Sequence, residues 1–401
     1  MSGWPSVRLG DLIEVKGGKR LPKGHALQGS DNGAPYIRIV DINEGNVVEA
    51  NLAFVPEETQ PFIDRYRVAT GDVFISIVGT VGVVAPILRS LDGAFLTENA
   101  ARLVASNPNL SSTFLRYFLA SDSGQHAIRE QTVGSTQPKL ALGRIKDIAI
   151  SLPPVDVQTA IVEVLGAIED KIATNSRIAA TSATFSRAIF EEALQKGAVE
   201  LLLSDITTLV SRGITPAYSE ASEGTTVILN QKCVRDQRVL LSPSRRTLES
   251  KVLRDKMLVL NDVLVNSTGQ GTLGRVARWT RDERVTTDSH ISIVRFDASV
   301  TNPVTAGYGL MRAQPTIEEL GEGSTGQTEL SRVDLGNLHV LLPTRELQDL
   351  LGERLSELSR TEDAVLTENE MLVGIRDALL PQLMSGKLRV RDAEKSLAGV
   401  L

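Results

Sequence analysis

The sequence predicts an α/β protein built as a pseudo-two-fold tandem repeat, in which two mixed α/β domains alternate with two long helices that pair as an antiparallel coiled coil. Three features of the 401 residues lead there. The chain aligns with itself at an offset of 190 residues, the mark of a repeat architecture. The better-matched part of each half carries a seven-residue apolar period, the pattern of helices packed along a seam. The looser part carries short β-branched runs of the kind that form strands.

From Gln137 onward the self-alignment needs no gap. Leu140 falls on Leu330, Ile145 on Leu335, Ile148 on Leu338, Leu152 on Leu342, Pro153 on Pro343 and Gln158 on Gln348. It runs on through Ala188-Ile189-Phe190 against Ala378-Leu379-Leu380. Earlier the relation is looser. Leu9-Gly10-Asp11-Leu12 resembles Leu203-Ser204-Asp205-Ile206, Gly71-Asp72-Val73-Phe74-Ile75-Ser76 resembles Asn261-Asp262-Val263-Leu264-Val265-Asn266, and Gly134-Ser135-Thr136 resembles Gly323-Ser324-Thr325.

The elements follow in chain order. Residues 1–152 form the first domain, with strands expected at Pro35–Val40 and Val73–Val78 and a helical run from Ser112 to Glu130. Residues 153–198 form a central spacer helix that starts after Pro153-Pro154, with Ile161, Ile168, Asn175, Ser182 and Ile189 on its seam. Asn175 is read either as a polar residue that sets register or as a solvated end of the seam. Residues 199–342 form the second domain, with a strand expected at His290–Val294. Residues 343–390 form the distal helix, where Leu351, Leu358, Val365, Leu372 and Leu379 take the equivalent seam positions, and 391–401 form a tail. A strong pattern of 35–40 residues makes a rod of roughly 55–60 Å at the α-helical rise.

Composition narrows the function classes. Apolar residues make up 42% and charged residues 23%, which excludes a largely disordered chain. Signal-peptide character is absent from the N-terminus, and the longest uncharged run, Val73 to Leu88, is too short and too interrupted to span a bilayer. A cytoplasmic location is therefore expected. The single Cys233 excludes an internal disulfide and a cysteine-based structural zinc site. A net charge of −6 is unfavourable for nucleic acid, yet residues 1–150 hold 15 basic and 15 acidic side chains. Residues 199–342 hold 16 and 17, so the deficit sits mainly in the helical stretches and local basic patches remain available.

Trp4-Pro5-Ser6-Val7-Arg8-Leu9-Gly10-Asp11, Gly71–Ser76, Leu152-Pro153-Pro154 with Gln158, and Ala378–Leu388, ordered at that offset, resemble type I restriction-modification specificity subunits across nearly the whole chain. The resemblance implies a non-catalytic subunit whose two domains each read half of a bipartite double-stranded DNA target. It implies helices acting as a ruler and as the docking surface for two methyltransferase subunits, with two motor-nuclease subunits as optional partners. S-adenosylmethionine would be bound by the methyltransferase, with no cofactor on this chain. A rod of the length given above spans successive major grooves, about 34 Å apart.

Candidate DNA contacts are basic clusters, since phosphates attract them and arginine can grip guanine edges. One is Lys16, Lys19, Arg20 and Lys23. The other is Lys232, Arg235, Arg238, Arg245, Arg246, Lys251, Arg254 and Lys256, with three acidic residues among them. Polar loop residues Ser135, Thr136, Gln137, Gln231, Asn266, Thr268 and Gln270 are candidates for base contacts, with a plain turn role as the competing reading. Enzyme signatures fail on context. Gly269-Gln270-Gly271-Thr272-Leu273-Gly274 fits a dinucleotide fingerprint, but a strand-like run follows where a helix must start. Glu249-Ser250-Lys251 is a chance triplet. No methyltransferase tetrapeptide is present, and His25, His126, His290 and His339 do not cluster as ligands. The rival readings are a coiled-coil protein scaffold and an autonomous DNA-modifying enzyme.

Overall fold

The computed structural model describes residues 4–321, 329–397 and 399; Gly323-Ser324-Thr325, the expected counterpart of Gly134-Ser135-Thr136, lies outside them. These residues fall into two compact units, one holding the chain up to Ala173 and again from Asn369, the other Thr174–Glu368. Both boundaries lie inside the long helices Val155–Lys196 and Arg345–Met384. Each unit thus contains one domain and a stretch of both helices.

In the first unit a four-stranded antiparallel sheet places Ala100–Ala105 between Ile13–Gly17 and Val73–Ser76, with Val84–Pro86 outside the latter. Strand Val73–Ser76 is buried throughout because both sheet faces are covered. Its alternation divides it: Val73 and Ile75 pack with Phe114, Leu115 and Ile161, while Phe74 packs on the opposite face with Ile37, Ile87 and Leu96. Pro35–Ile37 lies in a smaller sheet, antiparallel to Ala53–Phe54 and parallel to Phe95–Leu96. Ser6–Arg8 pairs with Ala149–Ser151, bringing the start of the domain beside its end. The helical run expected from Ser112 to Glu130 is two helices, Ser112–Ala120 and Asp122–Gln131. Ser121 breaks it, with its hydroxyl donating to the Phe118 carbonyl and accepting from the Gly124 N–H that starts the second helix.

The second unit has the same strand order. Ile291–Phe296 lies between Thr207–Arg212 and Val263–Asn266, with Val276–Arg278 outside. Thr225–Leu229 is antiparallel to Arg245–Leu248 and parallel to Val285–Thr287, and Ala198–Leu202 pairs with His339–Pro343. Val263 and Val265 pack on one face, Leu264 on the other. Gly269–Gly274 therefore joins two antiparallel strands, and no helix begins there to hold a dinucleotide phosphate. The Gly71-Asp72 and Asn261-Asp262 motifs do the same work. Gly71 and Asn261 have φ of +87° and +73°, turning the chain into a strand whose first carboxylate is buried. Asp72 accepts the Ala69 N–H and ion-pairs with Arg102 at 2.8 Å; Asp262 accepts the Val259 N–H and ion-pairs with Arg295 at 2.7 Å.

Within each unit the two helix stretches run antiparallel. In the first, the Asn369 amide donates to the Ile172 carbonyl, while Ile161 and Leu383 line one cleft further along. In the second, the buried Asn175 amide donates to Glu368 at 2.7 Å, so it holds a specific partner across the seam. Ile161, Ile168, Leu351 and Leu372 are buried as expected, while Leu358, Val365 and Leu379 are half-buried. At Ile189 the seam has begun to drift: Phe190 is buried with Leu351 and Leu355, and Ile189, half-buried, packs against the same cluster. An α-helix turns every 3.6 residues, so a strict seven-residue count drifts off the buried face over several turns.

Gln158 and Gln348 explain the repeated segment before each helix. Gln158 Oε1 accepts the Ser111 N–H, and its Nε2 donates to the Asn109 and Pro153 carbonyls. Gln348 Oε1 accepts from Thr301 Oγ1 and the Asn302 N–H, and its Nε2 donates to the Pro343 carbonyl. Both amides are buried, so each ties a helix start to the cap of a domain helix. Gln348→Leu is expected to lower stability by about 2–3 kcal/mol, since each buried polar group left unpaired costs about 1–3 kcal/mol. Urea unfolding checks this, and an unchanged midpoint would mean that the stranded groups find other partners.

Each domain also docks on its helix stretch through buried polar groups. In the first unit Arg116 reaches Glu169 with bonds of 2.7 and 3.3 Å, and the Tyr117 hydroxyl donates to the same carboxylate. Counted from the helix caps Ser111 and Asn302, and from Gln158 and Gln348, the equivalent positions are Gly307, Tyr308 and Ser359. There the guanidinium comes from Arg278, which bonds Ser359 and Asn261. A Cβ on Gly307 would lie 2.8 Å from Arg278 Cδ, so glycine admits the arginine. Beside it Glu362 pairs with Arg238, and Asp363 lies next to Thr280 and Arg281. Burial pushes both carboxyls above their ordinary range, offset in part by these cations.

Candidate nucleic-acid interface

The basic residues singled out in the first domain lie close together along one connection. Lys16 is exposed on the strand Ile13–Gly17, with Glu14 at 2.7 Å. Gly18 passes so near the Thr97 carbonyl that a Cβ would lie 2.0 Å from it. The next residue, Lys19, is tied by its N–H to Leu96 and by its carbonyl to the Tyr36 hydroxyl, leaving the side chain exposed. Burial raises the Tyr36 hydroxyl pKa to about 12, so it stays a donor. Arg20 pairs with Glu98 at 2.5 Å, and Lys23 is exposed. Ser135, Thr136 and Gln137 are exposed at the tip between Val133 and Lys139, which bridge each other.

The stretch from Lys232 to Lys256 divides between exposed side chains and side chains that other parts of the protein engage. Arg238 is held by Glu362 and the Ala179 carbonyl. Arg246 turns inward, donating from Nε to Thr225 Oγ1 at 2.7 Å and from Nη2 to the Thr225 and Ser222 carbonyls. Its neighbour Arg245 points the other way, as successive strand residues must, and lies over the Tyr218 ring at 3.5 Å. Arg235 is exposed with Asp236 at 3.5 Å, and Lys232, Lys251 and Arg254 are exposed. Asn266 is wholly buried and donates to the Gln231 and Thr272 carbonyls, so it is a turn residue and not a base contact. Gln270 is exposed in the following turn.

Other side chains gather at the open end of the second unit's main sheet. Arg212, Lys256 and Arg332 line a cleft of about 600 Å³ with Ser211 and Glu329. Arg212 pairs there with Glu329 at 2.5 Å, and the Lys256 ammonium donates to Ser211. From this cleft the segment Ser211–Ser219 runs past Gly213, pressed against the Thr287 carbonyl, to a second cleft of about 450 Å³ lined by Tyr218, Ser244, Arg245 and Arg246. Gln231, Thr268 and His290 form a hydrogen-bonded row, and Thr268 bridges Glu329 of the first cleft. Sequence reasoning missed Arg212 and Arg332 because neither lies in a basic run. The signal for Arg212 was Ser211-Arg212-Gly213 standing opposite Lys16-Gly17-Gly18 in the repeat.

This surface offers cations and hydrogen-bonding groups. Among the described residues no group of three or more histidine, cysteine, aspartate or glutamate side chains is placed to hold a metal, and no helix is long and apolar enough to cross a membrane. Cys233 is fully buried, and burial pushes its thiol pKa up to about 11, which removes it as a nucleophile.

Residues 1–181 match the family model of the type I restriction modification DNA specificity domain. Among curated proteins, the putative type I restriction enzyme MjaX specificity subunit of Methanocaldococcus jannaschii is 22% identical over 425 aligned residues, covering 97% of this chain and 94% of that protein. The MjaVIII specificity subunit of the same organism is 22% identical over 173 residues, spanning 42% of this chain and 40% of that protein. The solved S subunit of a type I restriction-modification system from M. genitalium superposes with a TM-score of 0.64 at 16% identity, over 95% of this chain and 96% of that one. At that identity the likeness is one of fold.

Proposed function

We propose, from its similarity to the specificity subunits of type I restriction-modification systems, that the chain is such a subunit and selects a bipartite double-stranded DNA target, one half read by 1–152 and the other by 199–342. The long helices would pair as an antiparallel coiled coil, relate the two halves as a pseudo-two-fold repeat, and carry two methyltransferase subunits. Those subunits would bind S-adenosylmethionine and perform the chemistry in the cytoplasm, with motor-nuclease subunits joining where cleavage follows.

The observation that carries this reading is sameness of frame with difference of surface. Strand order, the buried aspartate and the glutamine cap recur in both units, while the side chains at the open sheet end do not: Lys16 and Gly17 stand where the other unit has Ser211 and Arg212. A scaffold that only bound protein would have no need for a cationic cleft around Arg212, Lys256 and Arg332. Phosphate contacts release counterions, so each one lost reduces the salt slope of binding by about one. Arg332→Glu and Arg245→Glu, made separately in the assembled methyltransferase, are each expected to weaken duplex binding similarly across sequences and to flatten its salt dependence. Affinity and slope unchanged in both would move the DNA surface elsewhere. Arg246 is unsuitable for this test, since its side chain holds the loop at Ser222 in place.

A further inference from the structure

We infer that the row Gln231–Thr268–His290 is the base-reading element of the second domain, presenting one acceptor and one donor to a base-pair edge in the major groove; this rests on the DNA-reading function proposed above. Three loops converge to build the row. Gln231 opens the turn after Thr225–Leu229, Thr268 follows the strand Val263–Asn266, and His290 precedes the strand Ile291–Phe296. The polarity of the row is set by its middle member. Gln231 Nε2 donates to Thr268 Oγ1 at 2.6 Å, and in the arrangement we infer the Thr268 hydroxyl passes its own hydrogen to His290 Nδ1 at 2.8 Å. With Nδ1 accepting, the ring of His290 carries its proton on Nε2 as a donor, and Gln231 keeps Oε1 as the acceptor. Gly269 leaves the room that this amide needs, since a Cβ there would lie 2.8 Å from Oε1.

Such a pair complements an edge on which an acceptor sits beside an amino group. Adenine N7 with N6, thymine O4 with the N6 of its paired adenine, and guanine O6 with the N4 of its paired cytosine are such edges. The first domain supports the assignment by contrast. Its backbone repeats the surroundings: the Ile77 and Ser267 N–H groups donate to the carbonyls of Asn99 and His290, and Val78 and Thr268 bridge Lys139 and Glu329. Yet the three positions are Ile39, Val78 and Asn99, two apolar side chains and one amide. Side chains that differ in chemistry on a repeated backbone are what two half-sites of different sequence require, whereas a row that merely braced the loops would have no reason to change.

The test is made on the assembled methyltransferase, with Thr268→Val, which keeps the shape and breaks the row, and His290→Asn, which replaces the donor. Methylated positions are mapped across a genome that contains every variant of the site. Both changes are expected to relax recognition at one base pair of one half-site by about 10- to 100-fold, the size of one bidentate base contact, with the other half-site unaltered. The base that becomes tolerated separates the adenine–thymine edges from the guanine–cytosine edge. An unchanged target for both variants would overturn the inference, as would an equal loss at every sequence, which would make the row a brace. A wild-type complex without sequence preference would sink the DNA-reading function and this inference with it.

Discussion

Replacing residues 199–342 with the equivalent domain of a related subunit is expected to change one half of the methylated sequence and leave the other half as it was. The expectation follows from how each domain is seated. Its first and last strands pair with each other, its sheet is closed by its own helices, and it meets the helix stretch of its own unit through polar groups and an apolar patch of Val304, Tyr308 and Leu341 against Phe190, Leu351 and Leu355. The effect is a complete switch of target, because a single wrong base pair already costs about 1–3 kcal/mol and a half-site contains several. The graft must keep arginines at 238 and 278 and glycine at 307, or Glu362 and Ser359 lose their partners. Genome-wide mapping of methylated adenines reads the result directly. Both half-sites changing together would show that the domains read DNA jointly, and the modular mechanism would fall.

Asp262→Ala is expected to be the most damaging single change in the second unit. Asp262 is 1% exposed and accepts from the Val259 N–H and from Arg295, whose guanidinium also spans to the Met257 carbonyl. Removing the carboxylate strands a half-buried cation and a backbone donor at the entrance to a central strand. Breaking a buried pair in this way costs about 3–5 kcal/mol, which for a unit of this size is a fall in melting temperature of roughly 6–20 °C. Calorimetry on the full chain measures it. Arg20→Ala removes an ion pair of the exposed kind, formed by a side chain 78% exposed, and is expected to leave the melting temperature where it was. Equal shifts for the two variants would show that burial is not what makes the Asp262 pair matter.

Much of the fold was legible because the repeat compares two solutions to the same problem. Wherever Gly71 and Asn261, or Gln158 and Gln348, stand at matching positions, a shared backbone need lies beneath: a left-handed φ in one case, a buried cap in the other. The helix seam was legible until small phase errors accumulated, so that near its end Phe190 is the buried residue and Ile189 packs at its side. The surface was harder to read, since nearness in sequence says little about direction on strands. Arg245 and Arg246 are neighbours with opposite roles, and Arg238 is consumed by Glu362 on a helix more than a hundred residues away. Conversely, Gln231, Thr268 and His290 meet across three loops, and only the fold brings them together.

The two docking seats differ in a way that bears on how such a chain can be inherited. The first helix carries Ile172 and Ala173 where the second carries Glu362 and Asp363, and the first domain has Asn46 where the second has Arg238. A recombination that moved the first domain into the second position would set Asn46 against Glu362 in place of Arg238, and bring the Arg116 guanidinium to Ser359 in place of a carboxylate. Trading domains between different chains at the same position avoids that mismatch, provided the incoming domain carries the same arginines. Each seat thus works as an address, favouring exchange of domains within a position over shuffling between positions.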